Sequence, residues 1–171
     1  IIIFLVIKFV LFPVLTLLTG SSLPLVVVES SSMSHHAVIF GEFDNWWNSE
    51  GSWYTSRNIA NLSSAKSWPL KSGFEKGDII MLVGVSPEKV RIGDVIVFNA
   101  YQKNPIIHRV VNISVMDDGS LVFSTKGDNN YDQIPQDNNI LGSNILGKAL
   151  IKIPKVGWIK LFVVNFMSFF H

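Results

Sequence analysis

The chain has 171 residues, enough for one domain with a hydrophobic core of its own. It is 48% hydrophobic but only 16% charged, and the apolar excess lies mostly at the two ends, which favours membrane segments over an ordinary soluble domain. The net charge of +1 gives no reason to expect nucleic-acid binding, and the absence of cysteine excludes disulfides, thiolate catalysis and cysteine metal sites. Because the first residue is isoleucine rather than methionine, we expect the natural start of the protein to lie upstream.

The N-terminal segment is almost wholly apolar. Residues 1–18 contain a single charge, Lys8, and one proline, Pro13. This length lies near the lower limit for crossing a bilayer, roughly 17–25 residues. A buried core helix and a cleavable signal peptide are the alternatives, but the polar break at residues 19–22 leads directly into a chemically distinctive segment. We therefore predict a membrane anchor over residues 1–22.

The distinctive segment is a run of serines, Glu29-Ser30-Ser31-Ser32-Met33-Ser34-His35, which we call the serine segment. It follows the apolar residues 23–28, and the β-branched and aliphatic side chains there predict a strand over residues 24–29. In a chain without cysteine, serine is the residue suited to act as an activated nucleophile. We therefore predict that Ser32 attacks a peptide bond at a membrane surface.

An aromatic-rich insert, residues 41–74, follows the serine segment and holds four of the five tryptophans. Its rings are interspersed with Asn, Ser and Gly and show little helical or strand periodicity. Two interpretations are equally open: the rings fill a core, or they lie at the membrane–water interface, where tryptophan is favoured. Contact with a substrate is a third interpretation.

The middle of the chain predicts a mostly β domain, a coiled sheet or barrel, over residues 23–153. Two Gly-Asp pairs, at 77–78 and 93–94, each precede an apolar run, and their aspartates are typical of tight turns rather than of catalysis. Asp117-Asp118-Gly119-Ser120 indicates a hairpin. The apolar stretches predict strands at 79–83, 95–98, 105–111 and 121–126, and a last strand or two at 139–142 and 145–151. Residues 154–171 are apolar again and predict a C-terminal helix that spans the membrane or lies at its interface.

A serine nucleophile needs a base, and His108 is the best candidate because a neutral imidazole accepts a proton near pH 7. His35 and His36 are rivals, although closeness to the nucleophile in sequence does not bring their rings to its hydroxyl. A lysine base would require strong desolvation, and we expect no lysine in an apolar strand. The imidazole in turn needs an orienting carboxylate, for which Asp128 and Asp132 are the candidates.

Four short motifs together resemble the boxes of type I signal peptidases. They are Ser30-Ser31-Ser32-Met33, Gly93-Asp94-Val95-Ile96-Val97-Phe98, Ile107-His108-Arg109-Val110 and Lys126-Gly127-Asp128-Asn129-Asn130. Each is common alone, but here they occur in the family's order, across about residues 23–150 and behind an apolar segment. The histidine of the third motif resembles the archaeal and endoplasmic-reticulum branch, which has histidine where the usual bacterial enzymes have lysine.

The resemblance implies a mostly β catalytic domain on the non-cytoplasmic side of the cell or endoplasmic-reticulum membrane, cleaving signal peptides from exported preproteins. It implies Ser32 as nucleophile, His108 as general base, and Ser30 with the Ser32 amide as oxyanion donors. Asp128 matches the aspartate of the last motif, and Asp132 is the nearest match to a second one, at a spacing that departs from the family. No cofactor or metal is expected. The expected partners are signal peptides, the lipid bilayer and a protein-translocation machinery.

Alternatives from other classes stay open at this point. A membrane-anchored binding subunit that kept the fold without activity is one. A self-cleaving repressor-type protease is disfavoured because it would use lysine and carry a DNA-binding domain. A metal site built from His35, His36, His108 and an aspartate is disfavoured because adjacent side chains on a strand point to opposite sides. The family's proline soon after the methionine is replaced here by Ser34-His35, which changes the local turn.

Overall fold

The computed structural model describes residues 5–35, 42–102 and 104–155, without the side chain of Glu42. His36 and most of the predicted C-terminal helix, residues 156–171, lie outside the described residues. The helices are a π-helical turn (Ile7–Leu11), α1 (Phe12–Thr19), α2 (Glu42–Thr55) and α3 (Leu62–Ala65), with 3₁₀ turns at Pro87–Lys89, Pro135–Asp137 and Gly142–Asn144. The strands are β1 (Leu25–Val27), β2 (Ile79–Val83), β3 (Val95–Phe98), β4 (Ile106–Val115), β5 (Leu121–Lys126), β6 (Ile140–Leu141) and β7 (Ile145–Ile153).

The N-terminal helical segment ends at Gly20. Its φ of 65° lies in the left-handed region that glycine adopts without strain, and its N–H donates to the Thr16 carbonyl at 2.9 Å. Within the described residues, none of the helices combines the length and the apolar character needed to cross a bilayer. The transmembrane helix predicted within residues 1–22 is therefore not supported by this part of the structure.

The seven strands form one antiparallel sheet in the order β1-β2-β7-β3-β4-β5-β6. Register shifts interrupt the pairing of β2 with β7, of β3 with β7 and of β4 with β5. Irregularities of this kind increase the local twist and curl a sheet. The prediction of a mostly β fold is confirmed, and the predicted strands match β2, β3, β4, β5 and β7 to within a few residues.

Strand β3 is buried on both faces, which explains its unbroken apolar sequence. Val95 and Val97 belong to one hydrophobic cluster, which includes Met33 of the serine segment. Ile96 and Phe98 belong to a second cluster on the other side, with Phe123 of β5. The loop that carries Ser32 is thus tied to the centre of the sheet through Met33, which follows Ser32.

Both Gly-Asp pairs form tight turns before strands, as predicted. Gly77 and Gly93 have φ values of 90° and 92°. The Asp78 carboxylate accepts the Glu75 N–H at 2.8 Å, and the Asp94 carboxylate accepts the Arg91 N–H at 2.9 Å. These aspartates stabilise turns by bonding local amides.

The aromatic-rich insert packs as a core of its own. Trp46, Trp47, Tyr54 and Trp68 are buried in one cluster, which also contacts Val111 of β4. The rings meet mostly in tilted and edge-on pairs, with centroids 5.3–6.1 Å apart. Of the interpretations open for this insert, the structure supports the core for these residues.

Candidate active site

The serine segment is held in place by backbone contacts from two sides. The Phe74 N–H donates to the Met33 carbonyl at 2.8 Å, and the Asn129 N–H donates to the Ser32 carbonyl at 2.8 Å. The Asn129 side-chain amide donates to the Ser31 carbonyl at 3.1 Å. Ser32 therefore lies on a loop whose backbone is fixed. Its side chain is half-buried, and the loop follows β1, an edge strand of the sheet.

The structure brings Ser32 and His108 together across 76 residues of sequence. The Ser32 Oγ lies 3.0 Å from the His108 Nε2, and the His108 Nδ1 lies 2.6 Å from the Asp137 Oδ1. Because an ionised carboxylate only accepts hydrogen bonds, the Asp137 contact places the imidazole proton on Nδ1. Nε2 is then free to accept the Ser32 hydroxyl proton, which is the proton transfer that makes a serine nucleophilic.

Asp137 is fully buried and its orientation is fixed by contacts other than the imidazole. Its Oδ1 also accepts the Thr125 hydroxyl, and its Oδ2 accepts the Ile134 N–H at 2.9 Å. Asp137 is the last residue of the 3₁₀ turn that begins at Pro135, and its carboxylate bonds back to Ile134, the residue before the turn. This arrangement holds the acceptor still for the His108 ring.

Ser30 lies beside the nucleophile. Its Oγ is 3.2 Å from the Ser32 Oγ, on the exposed side of the loop. A hydroxyl at this position can turn toward an oxygen that develops negative charge next to Ser32. Ser30 and the Ser32 amide thus stay the candidates for the oxyanion, as the motif resemblance implies.

Asp128, one of the two predicted orienting carboxylates, belongs to a different buried network. It accepts two hydrogen bonds from Arg109, at 2.9 and 2.7 Å, and lies 2.8 Å from the His35 Nε2. Tyr54 donates a further bond at 3.3 Å. Burial alone would raise the pKa of the Asp128 carboxyl, but the Arg109 charge and the hydrogen bonds from His35 and Arg109 hold this pKa well below its usual value.

Asp132, the other predicted carboxylate, lies at the surface. It accepts the Trp53 indole N–H at 2.8 Å and is 3.8 Å from the Arg57 guanidinium. The structure therefore places neither Asp128 nor Asp132 against His108, and Asp137 occupies that position instead. A sequence signal for Asp137 exists, since Pro135 opens a turn in which the third residue can bond back to the residue before the proline.

His35, a rival base, is turned away from Ser32. Its ring stacks on Trp46 with centroids 4.1 Å apart and planes 3° apart, and its Nε2 faces Asp128. Its Nδ1 is buried without a partner among the described residues. Within these residues there is also no group of three or more side chains arranged to hold a metal ion.

The expectation that no lysine lies in an apolar strand is wrong, because Lys126 is a buried residue of β5. It ends β5, is fully buried, and has its ammonium 5.2 Å from the Trp53 ring centroid and 5.3 Å from that of Tyr54. Burial lowers its pKa, as a lysine base would require. Its Nζ donates to the Gly127 carbonyl at 3.0 Å, however, whereas the base position beside Ser32 is held by His108.

A groove of about 660 Å³ runs past Ser32 and His108. One wall is β1, an edge strand of the sheet, and the other is the start of β4 with Ile106 and Ile107. The lining is mostly apolar, and its polar members include Ser30, Ser32, His108 and Asn130. Grooves of this composition bind apolar ligands and orient them through a small number of hydrogen bonds.

Serine, histidine and aspartate linked in this order, on a β-rich scaffold beside an apolar groove, have the geometry of a Ser–His–Asp hydrolase. The chain is 28% identical over 111 residues to the human signal peptidase complex catalytic subunit SEC11C, covering 60% of this chain and 57% of that protein. It is 32% identical over 94 residues to the Dictyostelium discoideum signal peptidase complex catalytic subunit sec11, covering 52% of each. It is also 30% identical over 97 residues to the human putative signal peptidase complex catalytic subunit SEC11B.

The resemblance predicted from the four motifs is thereby confirmed: the chain is a homologue of the signal peptidase complex catalytic subunits named SEC11. The matched region spans about half the length of these relatives. No model of a protein family matches the chain.

Proposed function

We propose that this chain is a membrane-associated serine endopeptidase that removes signal peptides from exported preproteins. The observation that carries the proposal is the chain of contacts from the Ser32 Oγ through the His108 imidazole to the Asp137 carboxylate. The names of the SEC11 relatives supply the substrate class, and two of the motifs that resemble those of type I signal peptidases contain Ser32 and His108.

The proposed reaction begins with His108 taking the proton of the Ser32 hydroxyl as the oxygen attacks the scissile carbonyl. Asp137 stabilises the resulting imidazolium, and the Ser30 hydroxyl with the Ser32 N–H stabilises the oxyanion. The imidazolium then protonates the leaving amine, which leaves an acyl-enzyme on Ser32. Water hydrolyses this ester with His108 acting again as the base.

The proposed substrate binds as an extended strand in the groove. Strand β1 pairs only with β2 in the described sheet, so its outer edge offers backbone donors and acceptors to an added strand. The aliphatic lining of the groove suits small apolar side chains near the cleavage point. A substrate strand bound along β1 would place its scissile bond at Ser32, in the loop that follows β1.

We further propose that the protein acts at the endoplasmic-reticulum or cell membrane, with its catalytic domain on the non-cytoplasmic side, beside the translocation machinery. Phe9, Val10, Leu17 and Leu18 of the N-terminal helical segment are more than half exposed. Large exposed apolar surfaces of this kind mark contact with lipid or with another protein. The substrates would enter the same region, because signal peptides are themselves apolar.

The test is cleavage of a preprotein by the purified chain in detergent micelles, with sequencing of the product's new N-terminus. The Ser32→Ala and His108→Ala variants should each lose processing, with an unchanged circular dichroism spectrum. Ser31→Ala is the matched control, because Ser31 contributes its backbone carbonyl to the loop contacts. An active Ser32→Ala variant would refute the proposal. Preprotein binding without cleavage by the wild-type chain would identify the inactive binding subunit instead.

A further inference from the structure

We propose that Asn130 is a further catalytic residue, whose side-chain amide holds the water that hydrolyses the acyl-enzyme on Ser32. The inference rests on the proposed function and deepens it, because it assigns a group to the second half of the reaction. Asn130 ends the last of the four motifs, and the contacts that link Ser32, His108 and Asp137 do not include it. Three features point to this role: the place of the amide, its availability and the needs of the hydrolytic step.

The Asn130 amide lies beside the nitrogen that transfers the protons. A Cβ atom at Gly127 would lie 2.7 Å from the Asn130 Nδ2 and 2.9 Å from the His108 Nε2, so both nitrogens are close to one point. The Ser32 Oγ is 3.0 Å from the same Nε2. Asn130, Ser32 and His108 also line the same groove. A small molecule that contacts both the amide and Nε2 is therefore next to the oxygen that carries the acyl group.

The backbone of Asn130 is fixed, whereas its side chain is available. The Asn130 N–H donates to the Gly127 carbonyl at 3.0 Å, and the Asn129 N–H donates to the Ser32 carbonyl at 2.8 Å. These bonds hold the loop against the serine segment. The Asn130 side chain is half-buried and forms no hydrogen bond with any other described residue. Its donor and its acceptor can therefore serve a molecule in the groove.

Hydrolysis of the acyl-enzyme needs a water in a fixed orientation. The water oxygen attacks the ester carbonyl while one water proton passes to the His108 Nε2, which then gives a proton to the departing Ser32 oxygen. The products are a carboxylic acid and the restored serine hydroxyl. A water bonded to Nε2 alone can rotate about that bond, whereas well-ordered waters typically have about three polar partners. The Asn130 amide supplies a second partner, because its NH₂ donates and its carbonyl accepts.

The test measures the loss of the acyl group directly. The substrate is a peptide ester with the cleavage-site sequence of a preprotein, and mass spectrometry follows the acyl-enzyme on Ser32. In Asn130→Leu, which removes the amide at similar size, the rate constant for loss of the acyl group should fall about tenfold, the effect of losing one ordinary hydrogen bond. KM for the ester should fall together with kcat, because kcat/KM depends on the steps up to acylation and should change far less.

Two controls separate this role from a structural one. Asn112→Leu changes an exposed asparagine of β4 outside the groove and should keep the wild-type rates. Hydroxylamine, a stronger nucleophile than water, should restore turnover of the ester in Asn130→Leu.

Two results would overturn the role of Asn130. One is loss of the acyl group at the wild-type rate in Asn130→Leu. The other is a fall in kcat/KM as large as the fall in kcat, which would mean that the amide acts before acylation. Failure of the wild-type chain to form an acyl-enzyme with the ester or to cleave a preprotein overturns the proposed function instead.

Discussion

Replacing Asp137 with asparagine tests the carboxylate that the motifs did not point to. The change removes the negative charge that would stabilise a His108 imidazolium. If the amide oxygen stays at the Oδ1 position, the imidazole keeps its tautomer and loses only the charge. If the amide nitrogen faces Nδ1 instead, the proton moves to Nε2 and the base is lost. We therefore expect kcat for preprotein cleavage to fall about 10²–10⁴-fold, the range spanned by general base catalysis.

The stability cost of Asp137→Asn should be moderate. With the amide oxygen at the Oδ1 position, the NH₂ takes the place of Oδ2 and faces the Ile134 N–H, so donor meets donor. An unsatisfied buried donor costs about 1–3 kcal/mol, measurable as a lower urea midpoint. Asp128→Asn should lose more stability and less activity than Asp137→Asn. It leaves the Arg109 charge buried without its partner, at a cost of about 3–5 kcal/mol.

The assay compares kcat from preprotein cleavage with the free energy of unfolding from urea titration for Asp137→Asn, Asp128→Asn and Asp132→Asn. Asp132→Asn is the control, since Asp132 is at the surface and bonds to the insert. A kcat in Asp137→Asn within a factor of about ten of wild type would refute our assignment of the orienting carboxylate. So would a loss of kcat in Asp132→Asn equal to that in Asp137→Asn.

Three other outcomes follow from the structure. Folding lowers the pKa of Asp128 below its usual value of 3.8. The stability that Asp128 contributes is therefore complete above pH 3.8 and is lost progressively as the pH falls below 3.8. Between pH 5 and pH 2, the urea midpoint should fall steeply in wild type and less in Asp128→Asn. In Gly127→Ala, the new Cβ would lie 2.9 Å from the His108 Nε2 and 2.7 Å from the Asn130 Nδ2, so kcat should fall about 10²-fold through displacement of the imidazole while the circular dichroism spectrum is unchanged. Lys126→Met should retain cleavage, because the Lys126 amine bonds to the Gly127 carbonyl; loss of cleavage with an intact fold would indicate that this buried lysine takes part in proton transfer.

The strands and the Ser32–His108 contact could be predicted from sequence because their signals are local or shared with a family. Gly-Asp turns directly precede β2 and β3 and so predict where these strands begin. The ordered motifs indicate which serine and which histidine form a pair. The partner of His108 was harder to predict, because both candidates were chosen by their place after β5. Neighbouring residues on a strand point to opposite faces, and His108 and Arg109 are neighbours on β4. Asp128 pairs with Arg109, so the carboxylate for His108 had to come from the other face.

The aromatic insert was harder still. Its helix α2 carries its tryptophans among polar residues, so the sequence shows no clear apolar stripe. The structure explains this pattern: Trp46 packs against His35 and donates to the Asp128 carbonyl, and Tyr54 donates to the Asp128 carboxylate. These rings meet charged and polar partners as well as one another and Val111 of β4. Only the tertiary contacts reveal which partners those are.

The same insert has a consequence for engineering the domain. Trp46, Tyr54 and Trp68 cover the buried Arg109–Asp128 pair, and Asp128 in turn contacts His35 at the end of the serine segment. A shortened chain that skips from the serine segment to β2 would hydrate that pair and loosen the loop. The insert between the first two strands is therefore needed for stability, and shortened versions of this domain need to retain it.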